Sequence, residues 1–123
     1  MGIPASQRLR KQSEFQQVRG SKHRIHCGPF VVQCEFGPAD ASAPARLGVI
    51  ASRRVGKAVQ RNYGKRVVRE IFRRQSAALP PGSRFVVVLR AGFERYAFAD
   101  LETQFMQAFT KMAQRADSGN PSK

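Results

Sequence analysis

The stretch Arg53-Arg54-Val55-Gly56-Lys57-Ala58-Val59-Gln60-Arg61-Asn62-Tyr63-Gly64-Lys65-Arg66-Val67-Val68-Arg69-Glu70-Ile71-Phe72-Arg73-Arg74 decides how the rest of the chain is read. Nine of its residues are Lys or Arg and one is acidic. Wound at about 100° per residue, Gly64, Val67, Val68 and Ile71 fall on one side of a helix. Arg61, Asn62, Lys65, Arg66, Arg69 and Arg73 fall in a neighbouring arc roughly 140° wide. The helix therefore has an apolar edge for a sheet and a basic face for an anion. A solvated face usually mixes signs, because each like-charged i,i+4 pair costs about 0.2–0.5 kcal/mol. Arg61, Lys65, Arg69 and Arg73 make a row of such pairs. Glu70 can offset Arg66 or Arg74 but cannot neutralise the row. Phosphate binding outweighs the solvated reading.

The flanks of this helix set the fold. Upstream, Arg46–Ser52 alternates, with Leu47, Val49 and Ala51 on one face and Gly48, Ile50 and Ser52 on the other. Arg53, Arg54 and Val55-Gly56 form the turn between strand and helix. Downstream, Pro80-Pro81-Gly82 stops the helix near Leu79. Phe85–Leu89, within Arg84–Arg90, is a continuous apolar run that suits a central strand buried on both faces. Strand, helix and strand make a βαβ unit with parallel pairing, for which the general expectation is a right-handed crossover.

Further out, a Gly37–Ala45 loop leads back to an antiparallel strand. There Phe30, Val32, Cys34 and Phe36 face the core, and Val31, Gln33 and Glu35 face water or a ligand. Arg24–His26 suggests a short edge strand. Ser13 is a good N-cap for a short helix that carries Glu14, Phe15 and Val18 and stops at Gly20. The last helix runs from about Phe98 to Arg115, with Phe98, Leu101, Phe105, Ala108, Phe109 and Met112 as its core stripe. Residues 1–7 and 116–123 look unstructured. Residues 8–115 form a single α+β domain in the order α-β-β-β-α-β-α, with a mixed sheet of about four strands.

The chain has 123 residues, 41% hydrophobic, and a formal net charge of +14. That fits one domain with a modest core and a polyanionic partner. Nucleic acid leads, ahead of an anionic membrane surface. No apolar run approaches the roughly 20 residues of a membrane span, and Met1 to Lys11 lacks a signal-peptide core, so a cytoplasmic location is expected. Reducing cytoplasm argues against a disulfide between Cys27 and Cys34. With His23 and His26 they lack the paired spacing of a zinc site, so no metal site is expected. No nucleophile–base constellation or Gly-rich phosphate loop is present.

Val55 to Glu70 resembles the signature of the bacterial ribonuclease P protein component. That signature is a Gly-x-Ala-Val turn, then Arg-Asn-Arg, then Lys-Arg, then Arg-Glu. Leu9 with Phe15 and Val18 is similar to the family's N-terminal helix motif. The Arg46–Ser52 strand and its two following basic residues also match. The resemblance spans roughly residues 8–114. It implies a left-handed βαβ crossover in place of the ordinary one. It also implies a catalytic RNA subunit as partner and precursor tRNA as substrate, the holoenzyme removing the 5′ leader. The family's protein supplies no catalytic side chain and binds no cofactor alone; the RNA and its Mg²⁺ carry the hydrolysis, with one protein monomer per RNA. On this resemblance Arg53, Arg54, Lys57, Arg61, Asn62, Lys65, Arg66, Arg69 and Arg73 bind RNA. Arg8, Lys11, Phe15, Val18, Arg19, Val31, Gln33 and Ile50 form the leader-binding cleft. Tyr63 replaces the third residue of the Arg-Asn-Arg triplet, and Arg19 and Gln33 stand where aromatics are often found. Charge and size alone would suit a ribosomal protein or general RNA chaperone equally well.

Overall fold

A computed structural model describes residues 7–37 and 43–118. In chain order its elements are α1 (Gln12–Arg19), β1 (Arg24–His26), β2 (Phe30–Glu35), β3 (Arg46–Ile50), α2 (Ala58–Gln75), β4 (Arg84–Leu89) and α3 (Phe98–Ser118). Short 3-10 turns at Arg53–Val55, Ser76–Ala78 and Phe93–Arg95 punctuate them. The strands lie in the order β1-β2-β4-β3. The apolar run of β4 thus sits inside the sheet, antiparallel to β2 (Val32↔Val87) and parallel to β3 (Val49↔Val87). β2 and β3 run in opposite directions, as expected, but β4 separates them. Beyond β3, Arg8 bridges Leu47 and the Leu9 N–H donates to the Leu47 carbonyl at 2.9 Å, which covers part of that edge.

Each face of the sheet is buried by different helices. Phe30, Val32, Cys34, Leu47, Phe85, Val87 and Leu89 meet Val68, Ile71 and Phe72 of α2 and Leu101, Phe105 and Met112 of α3. Phe85 is at the centre, with the rings of Phe72, Phe105 and Phe109 at 6.0, 6.1 and 5.8 Å. Each such buried side chain contributes about 1.5–3 kcal/mol. On the opposite face, α1 covers Val86, with Leu9 and Val18 as a second small core against which Phe15, Ile50 and Val88 pack. A helix of 8 residues does not persist alone in water, so this contact is what holds α1.

The hand of the crossover follows from chirality. The Leu47 carbonyl points outward to Leu9, so the peptide groups of Gly48 point toward β4. Gly48 lies on the α1 face, against Phe15. For an L-chain running upward, a residue whose Cβ direction faces the viewer has its N–H and C=O on the right. Seen from α1, β4 is therefore to the right of β3; seen from α2, it is to the left. The β3-α2-β4 connection is left-handed, against the general expectation and in agreement with the resemblance.

Several boundaries move for local reasons. α1 begins at Gln12, and Ser13 is not its cap. Instead the Glu14 carboxylate accepts the N–H groups of Lys11 and Arg10 at 3.1 and 3.2 Å. β3 ends at Ile50, because Ser52 accepts the Arg54 N–H and opens the 3-10 turn. α2 ends at Gln75 and tightens into a 3-10 turn before the buried Leu79. α3 continues past Arg115 to Ser118. The rest of the expected C-terminal tail, residues 1–6, and residues 38–42 of the expected Gly37–Ala45 loop lie outside the described residues.

Candidate nucleic-acid interface

The interface begins at the turn into α2. Gly56 has φ +147°, and an added Cβ would lie 2.1 Å from Gln60 Oε1. The same oxygen accepts the Lys57 N–H at 2.8 Å and so closes the helix N-terminus. This compact turn leaves Arg53, Arg54 and Lys57 exposed.

From there the row climbs α2. Arg61, Lys65 and Arg69 are half-buried, their stems lying along the protein, while Asn62 and Arg66 are exposed. Among the described residues, no carboxylate makes an ion pair with Arg61, Lys65 or Arg69. Burial, and then the positive charge of Arg8, push the Arg69 pKa down. Both effects disfavour the charged form of Arg69, which keeps its stem against the protein beside a second cation.

The row is shorter than the sequence implied. Glu70 makes no salt bridge with Arg66 or Arg74. It takes Arg73, whose Nε donates to it at 2.9 Å, and this ion pair lowers the Glu70 pKa. Arg74 donates to Glu102 at 2.9 Å and lies 5.4 Å over the Phe98 ring. Arg73 is therefore already committed to a carboxylate.

At its other flank α2 borders a groove. About 560 Å³ of space is lined by Arg10, Gln12, Phe15, Gln16, Arg19, Val49, Ile50, Ala51 and Lys65. Of the expected leader-cleft residues it contains Phe15, Arg19 and Ile50, and it adds Lys65 from the row. Val18, Val31 and Gln33 are not on its surface. They are 0%, 6% and 0% exposed, because α1 packs directly over that face of the sheet. The Gln33 amide donates to the carbonyls of Arg19 and Ser21 at 2.9 and 3.2 Å, and its oxygen accepts from the Arg19 guanidinium. Gln33 is thus a satisfied buried amide that ties the end of α1 to the sheet. Arg8 lies elsewhere, lining a separate cleft with Arg66 and Arg69. Lys11 is an exposed residue at the start of α1 and does not line the groove.

Sequence reading missed Arg10, Gln12, Gln16, Val49 and Ala51 as groove residues. A signal was present for two of them. Gln12, Phe15, Gln16 and Arg19 share one helical face by i,i+3 and i,i+4 spacing. Arg10 carries no such periodicity, and alternation put Val49 and Ala51 on the strand face opposite Ile50.

A mixed sheet with a left-handed crossover, whose crossover helix raises unneutralised cations beside a basic groove, defines a small α+β domain suited to a phosphate backbone. The family model for ribonuclease P matches residues 3–113. The chain is 36% identical over 112 residues to the ribonuclease P protein component of Herpetosiphon aurantiacus, covering 90% of this chain and 85% of that relative. The corresponding protein of Chlamydia caviae is 33% identical over 105 residues, covering 85% and 73%. Among solved structures, the RNase P protein of Thermotoga maritima superposes with a TM-score of 0.68 at 34% identity, covering 81% of this chain and 92% of its own. An RNase P protein mutant from Staphylococcus aureus shares the fold, with a TM-score of 0.74 at 24% identity and 89% coverage of each chain. The chain belongs to the ribonuclease P protein component family.

Proposed function

We propose that the chain is the non-catalytic subunit of a ribonuclease P, anchored by α2 on the catalytic RNA and holding the 5′ leader of precursor tRNA in the groove beside α1. The observation that carries this reading is Lys65, which belongs both to the cationic row and to the groove. A single surface can thus engage two anionic strands, one along α2 and one along α1. Phosphate contacts would supply most of the affinity, while Phe15 and Ile50 offer an apolar floor to a single strand. Holding the leader there raises substrate occupancy and fixes its orientation.

Among the described residues, the carboxylates do not gather into a Mg²⁺ site. Glu14, Glu35, Glu70 and Glu102 are each paired with an arginine. Among the described residues no three His, Cys, Asp or Glu gather closely enough to hold an ion. On this reading the Mg²⁺ of the holoenzyme would be held by the RNA and would supply the chemistry of hydrolysis there. One protein monomer per RNA and a cytoplasmic location accompany this reading.

The test is reconstitution with the purified catalytic RNA at low Mg²⁺, assayed on precursor tRNA. The expected result is leader removal by RNA plus protein and none by protein alone. Cleavage by the protein alone would make it an independent nuclease. Copurification with ribosomal RNA in place of a single smaller species would favour a ribosomal or chaperone role.

A further inference from the structure

Apolar side chains border the cationic face of α2. Among the described residues, Val59 is 80% exposed and Tyr63 is 46% exposed. They are i,i+4 neighbours and so lie along one edge of the helix. Tyr63 is held in place, its ring stacked on Phe93 at a centroid distance of 6.0 Å and an interplanar angle of 27°. It lines a cleft of about 420 Å³ together with Phe98, Arg66 and Arg69. Glu70 shares the cleft but is bound to Arg73, so it does not cancel the arginines. Burial and the approach of Arg8 both lower the Arg69 pKa, so positive charge converges on this space.

We infer that this cleft seats one unpaired base of the partner RNA, stacked on Tyr63 and bordered by Phe98, with the adjoining phosphate on Arg66 and Arg69. An aromatic platform between guanidinium groups matches the alternation of base and phosphate along a single strand. A lipid headgroup or an acidic peptide would use the charges but leave the ring without a counterpart. The cleft shares no lining residue with the groove beside α1, so a base seated in it contacts the catalytic RNA and leaves the leader site open. It rests on the subunit reading above. It also gives a role to the residue that departs from the family's Arg-Asn-Arg triplet: a base contact replaces a phosphate contact.

The probe is the catalytic RNA of ribonuclease P, titrated with the full chain across a salt series. Tyr63→Phe keeps the ring and is expected to bind within about twofold of wild type, since stacking uses the π-face. Tyr63→Leu keeps an apolar side chain against Phe93 but has no ring. It is expected to bind about tenfold more weakly, with the salt slope unchanged, because no phosphate contact is lost. Circular dichroism of both variants should match wild type. Wild-type affinity in Tyr63→Leu overturns the base seat. So does an equal loss in Tyr63→Phe, which would point to the hydroxyl, or a shallower salt slope in Tyr63→Leu. A wild-type chain that does not bind this RNA overturns the subunit reading and the seat with it, so the two failures are distinguishable.

Discussion

Glu14 shows how one carboxylate can fix both a helix and the strand beneath it. It accepts N–H groups from Lys11 and Arg10 and ion-pairs with Arg46 of β3 at 2.7 Å. The Arg46 hydrogen bond first, and the Lys11 N–H next, draw its pKa down to about 2. An unfolded Glu titrates near about 4.3. The folded state therefore holds the proton more weakly than the unfolded state. The stabilisation is fully present above the unfolded value and is lost as pH falls toward the folded one. Glu14→Gln should cost about 1 kcal/mol at neutral pH, the scale of a lost cap with a partly exposed ion pair. The gap from wild type in urea denaturation should narrow steadily below about pH 4. A gap that stays constant down to pH 2.5 would mean that Glu14 acts through packing and not through its charge. The charge on Glu14 and its place in the first turn of a helix were both readable in the sequence. Its partner Arg46, 32 positions away, was not, because local spacing carries no information about a strand that packs beneath.

At the level of elements, α2 keeps its repulsion unrelieved over Arg61, Lys65 and Arg69 and relieves it at Arg73. Arg61→Ala with Arg69→Ala should weaken binding to the catalytic RNA and make the salt dependence shallower by about 1.4 in slope, for two lost contacts at about 0.7 each on a single strand. The helix itself should not weaken, since a like-charged pair costs rather than stabilises. A fall in helical signal or in the urea midpoint would instead make these side chains structural. Glu70→Gln tests the other end: it frees Arg73 and removes a negative charge, so binding should tighten. The apolar and basic sides of α2 were legible because helical period fixes both. The second face of β2 was not. Alternation placed Val31 and Gln33 together, but it could not say that α1 lies on them or that Arg19 and Ser21 supply partners for the Gln33 amide. A buried amide and a ligand-facing one have the same sequence pattern, and they differ only in which carbonyls the fold brings near.

For the whole molecule, the hydrophobic pattern located β4 at the centre of the sheet but was blind to the hand of its connection. Left- and right-handed crossovers bury the same residues, so only the motif resemblance carried that information. The hand has a consequence for binding. It sets α2 on the face opposite α1, with β4 on a fixed side of β3, so the cationic row and the α1 groove meet at Lys65 along one flank. The two sites should then act as a continuous basic surface, and a net charge of +14 ensures that its attraction for RNA is strongly screened by salt. If about six phosphates are engaged, log K should fall with log salt at a slope of roughly −4. Filter binding or anisotropy between low and moderate salt measures it directly. A slope near zero would remove phosphate anchoring as the source of affinity. A slope of the expected size that survives Arg61→Ala with Arg69→Ala unchanged would move the anchor off α2, to Arg53, Arg54 and Lys57 at its entry.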